Sequence, residues 1–191
     1  MGAADTAATK SRMVRLFTAL SVPDDVAGTL AHRQTGLPGA NWRTHDQLHI
    51  TLTFYGEVDG HRADDLAIEL EKAAAGGPFE IALAGVGAFG DAHRTRTLWA
   101  GIEPNERLSV LAGRCRTAAE RAGITVERRD YHPHLTLAYL KQQTNPDRIG
   151  AWIAGNNLLH SPPVLIDRFG LYSSALTQDG SHYELEREYL L

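Results

Sequence analysis

His49-Ile50-Thr51-Leu52 and His134-Leu135-Thr136-Leu137 are the residues whose types and spacing can do chemistry. Each places an imidazole two residues from a hydroxyl, inside a run (48–56 and 133–139) of leucine, β-branched and aromatic residues that reads as a strand. Side chains alternate along a strand, so His49 and Thr51 share one face while Ile50 and Leu52 take the other, and the second run repeats this. One face belongs to a core; the other presents an imidazole beside a hydroxyl. Paired imidazoles divide acid and base work at neutral pH, one removing a proton while the other donates. The hydroxyls can hold oxygens on which charge develops. Phosphoester cleavage uses these parts. One His-x-Thr alone carries little weight, because a strand histidine is ordinarily a satisfied structural residue; the weight comes from the second copy.

The elements that must position them repeat as well. A strand over 13–22 runs into Pro23-Asp24-Asp25, a helix start with acids in its first turn, and that helix is expected to reach about residue 34. A short extended piece at 41–43 precedes the first histidine strand, which ends near Gly56. A helix over 62–75 and strands over 79–89 and 97–102 follow. The plan then restarts with Glu103-Pro104 and a helix over 105–122, the second histidine strand, a helix over 146–154, and strands over 164–173 and 182–190. Pro104 lies 81 residues after Pro23, and His134 lies 85 after His49. Near-equal offsets indicate an internal duplication, and its pseudo-two-fold axis can bring His49 and His134 face to face.

The remaining features bound the function. The 191 residues carry 43% hydrophobic and 22% charged side chains, ordinary for a globular chain, with a formal net charge of −4. Coating a nucleic acid through its phosphates calls for the opposite balance, so a nucleic-acid partner would be met locally, at an end or a single linkage. The single cysteine, Cys115, excludes an internal disulfide and a cysteine zinc site, and reads as a half-buried helix residue. No stretch is apolar enough to span a membrane, and residues 1–12 read as a disordered leader rather than a signal peptide. A cytoplasmic protein is expected.

Nine histidines raise a metal site, with His49, His93, His132 and His134 as the set to weigh; no His-Glu-x-x-His or carboxylate cluster accompanies them, and no metal is expected. His32, His45, His61, His160 and His182 read as surface or loop residues. Gly85-Val86-Gly87-Ala88-Phe89-Gly90 matches Gly-x-Gly-x-x-Gly, but a strand follows where a dinucleotide site needs a helix, so these glycines are expected to serve a tight turn or a close backbone approach. Arg94/Arg96 and Arg128/Arg129 flank the motifs and are either solvated or phosphate contacts. Trp42, Phe54 and Trp99 are core candidates first and base-stacking platforms second.

In order, Arg15-Leu16-Phe17-x-Ala19-Leu20, Leu48-His49-x-Thr51-Leu52-x-Phe54-x-Gly56-Glu57, Leu98-Trp99-Ala100-Gly101, Pro133-His134-Leu135-Thr136-Leu137-Ala138 and Leu171-Tyr172-Ser173-Ser174 resemble the RNA 2′,3′-cyclic phosphodiesterases, or 2′-5′ RNA ligases, of the 2H phosphoesterase superfamily. The resemblance covers about residues 13–191. It implies a single bilobal α+β domain over that span, with two antiparallel sheets lining a central cleft and helices outside. It also implies hydrolysis of RNA or nucleoside 2′,3′-cyclic phosphates to 2′-phosphates without metal or cofactor, with reversible 2′-5′ ligation as a further activity. On the family's pattern His49 is the general acid for the leaving 3′-oxygen, His134 the general base for water, and Thr51 and Thr136 hold the phosphate; the residues themselves leave open which histidine is which. Where many family members have an arginine two residues past the second motif's last leucine, this chain has Tyr139, and Arg129, Arg94, Tyr139 and Phe54 are the candidate substrate contacts. A monomer is expected from the closed pseudo-symmetry. A 2H enzyme for another small cyclic phosphate, and a non-catalytic binder of RNA ends or nucleotides, are the alternatives.

Overall fold

The first strand, β1 (Met13–Ser21), buries a continuous run from Leu16 to Leu20, which suits a strand covered on both sides. In the computed structural model, which describes residues 13–90, 95–127, 130–141, 143–177 and 180–191, this strand lies near the middle of the main sheet. The leader expected at 1–12 falls outside the described residues. After β1 come α1 (Asp24–Ala31), β2 (Ala40–Trp42), β3 (His49–Asp59), α2 (Gly60–Ala73), β4 (Phe79–Ile81), β5 (Leu83–Phe89) and β6 (Thr97–Ile102). The second half continues with α3 (Glu106–Arg121), β7 (His134–Leu140), α4 (Pro146–Asn156), β8 (Val164–Ile166), β9 (Arg168–Thr177) and β10 (Gly180–Leu190).

The main sheet runs β10-β9-β1-β3-β7-β6-β5, antiparallel throughout, and β4 pairs with β8 in a separate two-stranded sheet. Exchanging β1 with β6, β3 with β7, β4 with β8 and β5 with β9 leaves this order unchanged apart from the extra edge strand β10. The duplication read from the offsets is therefore the organisation of the sheet. The two sheets expected to line a cleft are joined at its centre by a single pair, Ile50 with Leu135. Beyond that pair β3 peels away, and β2 takes over the free edge of β7, with Ala40–Trp42 opposite Leu140–Ala138. The divergence of β3 and β7 opens the cleft.

The helices cover the opposite face. Leu66 and Leu70 of α2 and Leu108, Leu111 and Cys115 of α3 are all buried against the sheet. Thr53 Oγ1 donates to the Ala112 carbonyl at 3.2 Å, tying α3 to β3 directly. The caps follow from sequence: Asp59 accepts from Arg62 N, Asn105 from Leu108 N, and Asn145 from Asp147 N and Arg148 N, with Pro146 opening α4. Cys115 is fully buried rather than half-buried, and burial pushes its thiol up to about 12.

Three expectations shift. The first helix stops at Ala31 instead of reaching residue 34, and the chain turns through Gly36 at φ 78°. The strand expected over 79–89 is two strands, and so is the one over 164–173. Both break at the same place in the repeat, at Ala82 and Asp167: three residues pair with each other across the pseudo-two-fold axis as β4 and β8, and the rest join the main sheet. Continuous β-propensity does not record a change of partner. The Gly-x-Gly run behaves as expected of a close approach: Gly85 has φ 67°, and a Cβ on Gly87 would sit 2.3 Å from the Trp99 ring.

Candidate active site

Both histidines stand where β3 and β7 touch. Antiparallel pairing at Ile50–Leu135 puts His49 and Thr51 on either side of that pair in one strand, and His134 and Thr136 on either side of it in the other. Each histidine thus lies toward the other strand's threonine. The apolar residues Ile50, Leu52, Leu135 and Leu137 are buried on the far side, and all four motif residues are half-buried.

The same backbone device sets both rings. His49 Nδ1 is 2.9 Å from the Gln47 carbonyl, and His134 Nδ1 is 2.8 Å from the His132 carbonyl. With Nδ1–H donating to that oxygen, Nε2 is left to take up or release a proton. Gln47 is itself held: its side chain accepts from Thr44 N at 3.2 Å and donates to the Ser181 carbonyl at 3.3 Å, closing the short turn His45–Gln47 before β3. Neither threonine hydroxyl has a hydrogen-bond partner among the described residues, which leaves both free for a ligand.

Each strand then carries a bulge. The register of β1 on β3 slips between Thr18 and Ala19, and that of β6 on β7 between Leu98 and Trp99, so Leu52 and Leu137 are the extra residues. Two buried residues in succession follow, Leu52-Thr53 and Leu137-Ala138, and the alternation changes phase. Phe54 and Tyr139 are thereby brought to the histidine face, 45% and 43% exposed despite being large aromatics. An arginine lies over each ring: Arg15 Cζ is 4.9 Å from the Phe54 centroid and Arg43 Cζ is 5.2 Å from that of Tyr139.

Around this common frame the surroundings differ. His49 lies 5.2 Å from the Phe17 ring and edge-on to Tyr183 at 5.0 Å. Burial holds its pKa below the ordinary histidine value, opposed by the bond to Gln47 and reinforced by the charges of Arg43 and His134. His134 meets Phe89 edge-on at 4.7 Å, with Trp99 6.5 Å away. A cavity of about 220 Å³ includes His49, Thr51, Phe54 and Tyr139 in its walls, and a groove of about 660 Å³ includes Thr51, Phe54, Phe89, Tyr131 and His134. Thr51 and Phe54 line both, so the two meet there. Thr136, opposite Trp99 in the register, lines neither of the two. The Tyr139 phenol is pushed up by burial and stays protonated, a donor at neutral pH.

Of the residues singled out from sequence, His49, Thr51, His134, Thr136, Phe54 and Tyr139 converge on one face. Arg94, Arg128, Arg129 and His93 lie outside the described residues, and Arg96 is exposed beside β6. Among the described residues no group of three or more His, Cys, Asp or Glu side chains is gathered for a metal ion. His32, His45, His61, His160 and His182 are exposed, with His45 3.3 Å from Asp24 and His160 3.4 Å from Glu103. Trp42 packs on Trp152 at 5.6 Å, and Trp99 lies under Phe89 at 5.4 Å. Sequence reasoning missed Tyr183, Phe89 and Arg43. Tyr183 and Arg43 carry no local signal, because each reaches the site from outside the motif strands; Phe89 had one in its place within the glycine run.

Known proteins resemble this chain in sequence and in fold. The model of the 2′-5′ RNA ligase superfamily matches residues 22–178. The RNA 2′,3′-cyclic phosphodiesterase of Thermotoga maritima is 33% identical over 150 residues, covering 77% of each chain. The crystal structure of TT0787 of Thermus thermophilus superposes with a TM-score of 0.77 at 26% identity, covering 93% of this chain and 97% of that one. E. coli LigT in its apo form gives 0.74 at 25% identity, covering 95% and 99%.

Proposed function

Because the chain belongs to the 2′-5′ RNA ligase superfamily, we propose that it is a phosphodiesterase that opens RNA or nucleoside 2′,3′-cyclic phosphates to 2′-phosphates by acid–base catalysis between His49 and His134. The observation that carries this reading is the convergence of the two His-x-Thr motifs on one face about the Ile50–Leu135 pair, each histidine fixed through Nδ1 with Nε2 left to exchange a proton. The name of the Thermotoga relative supports the same substrate class.

In this reading His134 takes a proton from water as the water oxygen bonds to phosphorus. The bond from phosphorus to the 3′-oxygen breaks, and His49 delivers its proton to that oxygen, leaving a 2′-phosphate and a free 3′-hydroxyl. Thr51 and Thr136 hold the non-bridging oxygens as charge builds on them. Burial favours neutral His49 before substrate binds; a phosphate anion alongside restores the proton it must give. A 5′-hydroxyl in place of water makes a 2′-5′ linkage by the same proton transfers, and reversal of that step returns the ends. Phe54 and Tyr139 offer rings to the base or ribose. Residues 13–191 act as one unit, because the site takes one motif from each half. In this reading the protein works as a monomer in the cytoplasm.

The test is turnover of a nucleoside 2′,3′-cyclic phosphate, with EDTA present, by the wild type, His49→Ala and His134→Ala. Release of a 2′-phosphate by the wild type alone is the expected result. No turnover of this substrate or of a short RNA ending in the cyclic phosphate would move the reading to another small cyclic phosphate or to a binding module. Loss of activity with the chelator would overturn the metal-free mechanism.

A further inference from the structure

Arg43 follows β2 and is 6% exposed, yet its Nη2 has no hydrogen-bond partner among the described residues; the carboxylate that feels its charge, Asp46, is exposed and forms no ion pair with it. Its backbone is well held, with N donating to the Leu137 carbonyl at 2.8 Å and O accepting from Gln34 Nε2 at 2.7 Å. Among the described residues the guanidinium itself is held by the Tyr139 ring, 5.2 Å from its centroid. Burying a charge without a counter-ion is costly, and an apolar side chain of similar length would pack there at less cost. A buried arginine of this kind is explained if the counter-ion arrives with a ligand.

The location says where that ligand binds. Tyr139 and His49 both line the cavity of about 220 Å³, and the positive charge of Arg43 is felt at both side chains, acting to lower the pKa of each. Arg43 is not itself in the cavity wall; the Tyr139 ring lies between its charge and the opening.

We propose that Arg43 is the anion-positioning residue of this site: its guanidinium, held behind Tyr139 with Nη2 unpartnered, supplies the positive charge that draws a phosphate group onto the His49 side of the cleft. The inference deepens the activity proposed above and rests on it for the identity of the phosphate.

The experiment compares wild type, Arg43→Met, Arg43→Lys and Arg43→Met/Tyr139→Arg. Each is measured for KM and kcat on a nucleoside 2′,3′-cyclic phosphate, for inorganic phosphate binding by calorimetry, and for its thermal midpoint. Arg43→Met is expected to weaken phosphate binding and raise KM by about tenfold or more, with a smaller fall in kcat. Its thermal midpoint should equal or exceed that of the wild type, because an uncompensated buried charge is gone. Arg43→Lys keeps the charge and should recover most of the affinity, and arginine at 139 should restore it from the other strand. Unchanged phosphate binding in Arg43→Met would overturn the inference. So would a variant that loses stability and kcat together while its phosphate affinity stays at the wild-type value, which is the signature of a packing role. If Arg43→Met does not fold, Arg43→Lys decides: wild-type packing with normal phosphate affinity supports the charge, and a folded lysine variant with phosphate binding abolished opposes it. Wild-type protein that binds phosphate through Arg43 but turns over no cyclic phosphate would remove the proposed activity and leave this inference standing.

Discussion

The two halves of the site share a backbone and differ in what surrounds it. His49 and His134 are each held by a carbonyl two residues back, each strand bulges at the leucine after the threonine, and each then turns an aromatic ring with an arginine over it toward the cleft. The first half is closed in by Phe17 and Tyr183 and borders the smaller cavity; the other half opens onto the larger groove past Phe89. The arginines differ most: Arg15 is exposed, and Arg43 is buried with its Nη2 unpartnered. Duplication supplies two equivalent imidazoles, whereas the acid and base roles proposed for them differ. The divergence lies in the neighbouring strands, while the motif strands stay alike.

The comparison can be broken most directly at the histidines. His49→Ala and His134→Ala should each lower kcat/KM by about a thousandfold, and the double variant should lose little more, because the pair acts as one unit. A single variant that kept near-wild-type turnover would mean that only one half does chemistry. Next come the hydroxyls. Thr51→Val should cost about a hundredfold in kcat. Thr136→Val is expected to cost less, since Thr51 lines both cavities and Thr136 neither, and equal losses would restore the symmetry.

The pH profile of kcat/KM sharpens the comparison further. Burial, then the charges of Arg43 and His134, hold His49 below the ordinary histidine value, so its charged form is lost at a lower pH than usual as pH rises. With His49 as the acid, the alkaline limb falls early, and Arg43→Met should move that limb to higher pH. Movement of the acidic limb instead would make His49 the base and exchange the two roles. The smallest effects are expected at the aromatic pairs. Phe54→Ala should raise KM about fivefold for a short RNA and less for a mononucleotide, and Arg15→Met should stay within about threefold, as an exposed cation–π contact is weak.

The residues that were legible in sequence are those whose role is local. His49-x-Thr51 and His134-x-Thr136 could be assigned to one face because alternation along a strand is a property of the chain itself, and the spacing of the two copies located the pseudo-two-fold axis. The helix starts at Asn105 and Pro146 were legible for the same reason, since a cap is made within three residues, whereas α2 begins at Gly60, two residues before the start expected at 62. Phe54 and Tyr139 were named, but a strict alternation from His49 or His134 puts both on the buried face; the bulges at Leu52 and Leu137 reverse that, and a bulge is set by the partner strand. The strand breaks within 79–89 and 164–173 were hidden for the same reason, because β4 and β8 exist only through each other.

By itself, then, the sequence determined the chemistry available to this protein: two imidazoles, two hydroxyls, their faces and their repeat. The tertiary structure decided how those groups are differentiated. It joined the halves through one residue pair, shut His49 in behind Phe17 and Tyr183, and brought the buried charge of Arg43 within electrostatic reach of it. Type, spacing and periodicity are carried along the chain, whereas desolvation and the field at an imidazole depend on which distant strands are packed around it.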